Sequence, residues 1–364
     1  MEKIKVGVVG IRRGGTYVKV FHRSARSEIT AICDLSGEHL ASANEELGLP
    51  EDRCFTDYDA FLNTDIDVVV VGTPIPFHEE QVVKALEAGK HVFSEVTMAH
   101  TPEGCARIYE AVKRHPKQKY MLAENYIYLD FIQQWKRYVD AGRIGNIHYA
   151  EAEYVHDIRE RLYDTGTRPG ESYWRTYRPP IHYCTHCLGP LMYLIGGGDY
   201  IVKATAWGNK STIVEDQSLM PSTIDMQVGL FETKQGRILK ILRSQVQPRQ
   251  KHIVTYNLYG TEGLLESGRT AGYNTVGTRY FKSMDKTRVP INCNGTNLDT
   301  PKKFRFGGHG TSDYYGANAF LDWLEGGTEP FTTVERAFEL TMPGLIAQQT
   351  AMEGHVWKDV PHFD

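Results

Sequence analysis

Between Ile4 and Phe93, short β-branched runs alternate with amphipathic stretches, and this alternation constrains the fold more than any other feature of the chain. Ile4 to Val9, Ile29 to Cys33, Val68 to Val71 and His91 to Phe93 read as strands. Helical patterns at Tyr17 to Ser24, Gly37 to Leu47 and Glu79 to Ala88 lie between them. Strands separated by helices in this way build a parallel sheet covered on both faces, so the expected class is α/β.

After about residue 122 the pattern changes. One helical stretch, Phe131 to Ala141, precedes longer runs with period-two patterning at Ile147 to Val155, Ile224 to Phe231, Ile238 to Val246 and His252 to Tyr259. Extended strands with few helices between them predict a mostly antiparallel sheet. Tyr315 to Leu324 and Val334 to Met352 read as helices, the first closed by Gly326-Gly327, where a left-handed terminal residue costs little. The expected division is residues 1–122 and an α+β domain over 123–364.

The 364 residues suffice for two domains with separate cores. A formal net charge of -4 offers no broad basic field, which argues against nucleic acid or an anionic membrane surface and for a small-molecule partner. MEKIKVGVVG enters a strand directly, without the apolar core of a secretion signal, and no segment approaches the roughly 18 apolar residues that span a bilayer. A cytoplasmic protein is expected. Six scattered cysteines do not form a disulfide framework.

The first strand runs into Gly10-Ile11-Arg12-Arg13-Gly14-Gly15 with a helix after it, and Asp34 ends the next strand, 24 residues beyond Gly10. Glycines permit a tight turn and close approach to a pyrophosphate, the helix N-terminus supplies N–H groups, and the carboxylate accepts ribose hydroxyls. This is the Rossmann dinucleotide fingerprint with Arg12 where the second glycine is usual, so a guanidinium of Arg12 or Arg13 beside the phosphate is expected. Asp34 repels a 2′-phosphate, which favours NAD over NADP.

Downstream come Val68-Val-Val-Val-Gly72-Thr73-Pro74, then His78, then Ala85-Leu-Glu-Ala-Gly89-Lys90-His91-Val92-Phe93-Ser94-Glu95. With Ala141-Gly142-Arg143-Ile144-Gly145 before a long strand, these resemble the glucose-fructose oxidoreductase / inositol dehydrogenase family over nearly the whole chain. The resemblance implies a Rossmann domain, an open-faced α+β domain, sugar-type substrates and a homo-oligomer, dimer or tetramer. It also implies cofactor contacts from Thr73, Pro74, His78 and Glu95, in addition to Gly10, Gly14, Gly15 and Asp34.

The family's Glu-Lys-Pro is here Glu95-Val96-Thr97, without the lysine that helps bind the reacting hydroxyl. Its Asp-x-Gly-x-His-x-x-Asp is here His182-Tyr183-Cys184-Thr185-His186-Cys187-Leu188-Gly189, in which only His186 carries over. These departures resemble NAD-dependent glycosidases related to alpha-N-acetylgalactosaminidase, as do Leu188-Gly189-Pro190 and Gly308-His309-Gly310 followed by Asp313. In that branch a ring hydroxyl is oxidised, the aglycone eliminated, water added and the hydride returned. Three readings therefore stand: a sugar oxidoreductase, a redox glycosidase and a dinucleotide-binding sensor without turnover.

Imidazole titrates near neutral pH, which makes His186 the candidate base, with His182, Tyr126 and Tyr128 as further catalytic candidates. Trp174, Arg175 and Arg178 combine sugar-stacking faces with guanidinium clamps, and His309 and Asp313 join them as substrate candidates. Glu153, His156, His182, Cys184 and His186 hold enough N, S and O donors for a divalent metal able to polarise a carbonyl.

Overall fold

The computed structural model describes residues 2–158, 175, 178–210, 224–248, 254–269, 276–306 and 309–363. The first stretch runs β1 (Ile4–Val9), α1 (Ile11–Arg23), β2 (Ser27–Cys33), α2 (Gly37–Leu47), β3 (Cys54–Phe55), α3 (Tyr58–Leu62), β4 (Val68–Val71), α4 (His78–Glu87), β5 (His91–Ser94), α5 (Pro102–Arg114) and β6 (Tyr120–Leu122). Then follow α6 (Asp130–Asp140), β7 (Ile147–Val155), α7 (Thr185–Ile195), β8 (Ile201–Lys210), β9 (Ile224–Thr233), β10 (Ile238–Ser244) and β11 (Val254–Gly260). The last are β12 (Gly263–Glu266), β13 (Val276–Phe281), β14 (Val289–Asn292), α8 (Ser312–Leu324), α9 (Val334–Met352) and β15 (Lys358–Asp359). No helix among the described residues is long and apolar enough to cross a membrane.

Two units divide the chain, Met1–Asn125 with Leu298–Phe338 and Tyr126–Asn297 with Glu339–Asp364. The first holds a parallel sheet in the order β3-β2-β1-β4-β5-β6. All four β4 valines are wholly buried, as a strand covered on both faces demands. Strands 2 and 4 flank β1 on opposite sides, so the connections diverge there and a crevice opens at the carboxyl ends of β1 and β4.

Backbone packing fixes that crevice. Gly10 adopts φ +83°, and a Cβ on it would lie 2.5 Å from the Thr73 nitrogen. A Cβ on Gly72 would lie 2.7 Å from Gly14 Cα. The start of α1 thus rests on the end of β4 with no side chain between.

The second unit holds a nine-stranded sheet in the order β14-β13-β12-β11-β7-β10-β9-β8-β15. β7 and β10 run parallel, and the other described pairings are antiparallel. Leu239, Ile241 and Arg243 of β10 are buried at alternating positions, with Trp135 and Tyr256 in the same unit's core. Arg237 pairs with the buried Asp199 at 2.6 Å and ties the β9–β10 turn to the segment before β8.

The division differs from the expected one at residue 122. It falls after Asn125, and residues 298–338 return to the first unit. The reason is apolar burial. Phe320 of α8 is wholly buried and packs on Phe93 of β5 with ring centroids 5.3 Å apart, a partner that sequence order does not reveal.

Gly48 also has a left-handed backbone, at φ +63°, but with open space where a Cβ would stand. Gly48→Ala should cost about 1 kcal/mol from backbone strain. Gly10→Ala adds overpacking and should cost about 3 kcal/mol or more. Urea unfolding of both variants checks this; equal losses would show that close approach does not constrain Gly10.

Candidate functional site

In the first unit the Gly10 turn carries no side-chain cap at the start of α1. The crevice end of that helix therefore presents its first-turn backbone, and Gly15 has nothing within 4 Å of a built Cβ. A pyrophosphate needs such a cradle, so the residues present fit a dinucleotide. Asp34 Oδ2 accepts the Ile11 N–H at 2.7 Å, while Oδ1 accepts the Ser36 N–H at 2.8 Å. His39 Nδ1 lies 3.3 Å from the same Oδ1. A carboxylate offers about four lone-pair positions, so these bonds aim Asp34 and still leave capacity for a ribose hydroxyl. Exposed Arg12 lines a cavity of about 460 Å³ with Gly15, Thr16, His39 and Ser42.

Other expected cofactor residues also take part in bonds and turns within the chain. His78 is fully buried, and its ring spans from the Thr73 carbonyl (2.9 Å) to the Thr97 carbonyl (2.8 Å), bracing the segments that follow β4 and β5. Thr73 donates its hydroxyl to Gln81, and Pro74 leads into a short 3-10 turn before α4.

Arg13 points to carboxylates. Its guanidinium sits 2.7 Å from Glu95 and 3.8 Å from Asp313, both nearly enclosed. Asp313 also accepts from Asn125 Nδ2 at 2.7 Å and from Tyr17 at 3.2 Å, and lies 3.2 Å from His309 Nδ1. Burial would raise the Asp313 carboxyl, but His309, Arg13 and Asn125 hold it down at about 2. Burial and the two carboxylates push the Tyr17 phenol well up, so it stays a donor. Two residues expected at the substrate, His309 and Asp313, thus join two expected at the cofactor, Arg13 and Glu95.

In the second unit His186 occupies the first turn of α7, where the Tyr126 ring stacks on it at 4.1 Å and 12°. The Tyr183 hydroxyl lies 3.3 Å from His186 Nε2, and Tyr154 meets the imidazole edge-on at 5.6 Å. Pro190, four residues on, has no N–H for the His186 carbonyl, which accepts the Tyr256 hydroxyl instead. His182 Nδ1 lies 2.7 Å from the Pro179 carbonyl, which can only accept, so Nδ1 carries the proton. Burial, with Arg178, Arg175 and Arg243 nearby, holds that imidazole neutral. Arg175 covers the Tyr183 ring at 4.7 Å, and Arg178 is half-buried. Tyr128 is half-buried in the turn that carries Tyr126, and Trp174 lies outside the described residues.

Arg243 was not foreseen. It is wholly buried, donates to the carbonyls of Pro180 (3.1 Å) and Tyr154 (2.8 Å), and covers the Tyr154 ring at 4.1 Å. The signal is its place in the alternation Leu239, Ile241, Arg243, which sets a cation where an apolar side chain belongs.

The metal expectation finds no support among the described residues. Among the described residues no three His, Cys, Asp or Glu side chains gather to hold an ion. Glu153 pairs with Arg269 at 2.9 Å, and His156 lies 3.1 Å from the Tyr154 hydroxyl. Cys184 donates to the Ile181 carbonyl, and burial pushes its thiol up to about 12, away from the thiolate a metal takes.

The depressed Asp313 carboxyl gives a test. Its folded value, about 2, lies below the model-peptide value of 3.8, so it contributes stability above pH about 4 that is lost as pH falls through about 2. The contribution is about 2 kcal/mol. Asp313→Asn should lose it at neutral pH and flatten the acid limb of stability in urea unfolding. An unchanged acid limb would show that Asp313 is not held in this way.

The family described as oxidoreductase, NAD-binding Rossmann fold, matches residues 4–123. A glycosyl hydrolase family 109 protein of Shewanella pealeana is 29% identical over 274 residues, covering 68% of this chain and 60% of that protein. An alpha-N-acetylgalactosaminidase of Shewanella oneidensis is 29% identical over 312 residues, covering 78% of this chain and 67% of its own. The chain thus spans about 60% of the length of the first of these relatives. Levoglucosan dehydrogenase, solved in complex with NADH, superposes with a TM-score of 0.82 at 20% identity and full coverage of both chains, a likeness of fold. Residues 4–123 are thus similar to the oxidoreductase family with the NAD-binding Rossmann fold.

Proposed function

We propose that this protein cleaves glycosides by transient oxidation of a ring hydroxyl, using NAD without consuming it. The observation that carries the reading is the contact between Tyr183 and His186 at 3.3 Å. Oxidising an alcohol moves one proton, from oxygen; cleavage by elimination moves a second, from the neighbouring carbon, and needs another acid–base group. When bound, NAD supplies a two-electron acceptor that turns the hydroxyl into a ketone and back, and while the ketone lasts the adjacent C–H is acidic.

His186 takes the hydroxyl proton, and the stacked Tyr126 ring together with the Tyr256 bond to its carbonyl fixes the imidazole plane. Tyr183 relays the second proton and delivers it to the departing oxygen. Arg175 over the Tyr183 ring stabilises negative charge gathering there. Water then adds to the eliminated sugar, so glycoside and water become free sugar and alcohol. The Shewanella oneidensis relative's name points the same way. Asp34 selects NAD over NADP by repelling a 2′-phosphate. Exposed Trp207, Val228 and Ile238 support a homo-oligomer, which light scattering measures.

Net oxidation of a sugar hydroxyl is the second reading, favoured by the fold likeness to levoglucosan dehydrogenase. Incubation with NAD and nitrophenyl glycosides separates the two. Nitrophenol release without stoichiometric NADH is expected; NADH accumulation on free sugars with no nitrophenol would leave a dehydrogenase, and tight NAD binding with neither signal a sensor. His186→Asn should lower turnover about 100-fold or more while NAD affinity stays unchanged. A smaller loss would remove His186 from the proton chemistry.

A further inference from the structure

In the first unit a cavity of about 460 Å³ opens between α1 and α2. Arg12, Thr16 and Lys19 line it from α1, and His39, Ser42 and Glu46 line it from α2. Steps of three and four residues put each set on one face of its helix. Arg12 and Lys19 are exposed and form no hydrogen bond or ion pair among the described residues. The carboxylate of the lining is already engaged, since Glu46 pairs with Arg23 at 2.7 Å. The cavity therefore presents two uncompensated cations and two hydroxyls. Gly15 adds open space where a Cβ would stand.

This space adjoins the carboxylate that a dinucleotide's adenosine ribose needs. Asp34 accepts the Ile11 N–H at 2.7 Å and lies 3.3 Å from His39 Nδ1, and Ile11 and His39 are both part of the cavity wall. A substituent on the ribose hydroxyl that Asp34 receives has this cavity next to it.

We propose that the cavity receives the 2′-phosphate of a phosphorylated dinucleotide, so that the protein binds NADP as well as NAD. A phosphate monoester carries about two negative charges at neutral pH. Arg12 and Lys19 supply the counter-charge, and the Thr16 and Ser42 hydroxyls supply neutral donors. Asp34 still repels the phosphate and keeps NAD the tighter ligand. The two cations set how small that difference is. The inference rests on the reading that the Gly10 turn holds a dinucleotide, and it goes beyond that reading by naming a second form of the cofactor and the residues that admit it.

Calorimetric titration of the nucleotide-free protein with NAD and with NADP tests this. Salt of about 0.15 M screens charges more than about 8 Å from the ligand. NADP should bind within about ten-fold of NAD. Lys19→Glu changes an exposed side chain and should fold, leave NAD affinity unchanged and widen the gap by more than three-fold. Arg12→Ala should weaken NADP by a larger factor than NAD.

An NADP affinity more than about ten-fold below that of NAD would overturn the cavity's assignment, as would a gap that Lys19→Glu widens by three-fold or less. Either result leaves NAD binding and the glycosidase reading standing. Failure of both nucleotides to bind would overturn the assignment together with the dinucleotide reading on which it rests.

Discussion

Charge withdrawn from water has to be met by opposite charge or by donors and acceptors, and two polar groups among the described residues answer that requirement by different means. In the first unit Arg13 lies beside two carboxylates, Glu95 and Asp313, and Asn125, Tyr17 and His309 fill remaining positions on Asp313. That cluster sets one guanidinium against two carboxylates and leaves Asn125 Oδ1 without a hydrogen-bond partner. In the second unit Arg243 draws on backbone carbonyls and aromatic faces and keeps a donor in reserve. In both networks a buried polar atom is left unmet, Asn125 Oδ1 in one and Arg243 Nη2 in the other, at a cost that the low local dielectric raises.

The helix that carries His186 shows how a local defect becomes an anchor. Proline inside a helix removes one donor, and here the orphaned acceptor is the His186 carbonyl. The Tyr256 hydroxyl from β11 occupies it, so the backbone of the candidate base is tied to the sheet. Stacking by Tyr126 then limits the ring's rotation. A regular helix would have satisfied its own carbonyl and left the imidazole's position to side-chain packing alone.

Much of the first unit was legible because its signals are local. The strand, glycine turn and helix around Gly10 and the apolar run Val68–Val71 each sit within a few residues, and the parallel sheet follows from their alternation. The motif from His182 to Gly189 pointed to His186, and Tyr183 stood unremarked inside the same motif. What escaped depends on distant partners. Arg13 reads as a phosphate contact until Glu95 and Asp313 are brought beside it, and Cys184 and His182 read as ligands until backbone carbonyls claim them. The segment that carries Asp313 was placed with the second domain, because contiguity in sequence is the default assumption and only the packing of Phe320 on Phe93 contradicts it.

That displaced segment also sets a schedule for synthesis. The first unit needs residues 298–338 to cover its sheet and to supply Asp313, yet its earlier part ends at Asn125. At ribosomal rates of about 5–20 residues per second, the nascent sheet waits on the order of ten to forty seconds for its last helix. During that interval Phe93 lacks its Phe320 cover and Arg13 has Glu95 but not Asp313. The amino-terminal half therefore cannot reach its finished state vectorially, ahead of the rest, because residues 126–297 must be made before its last segment.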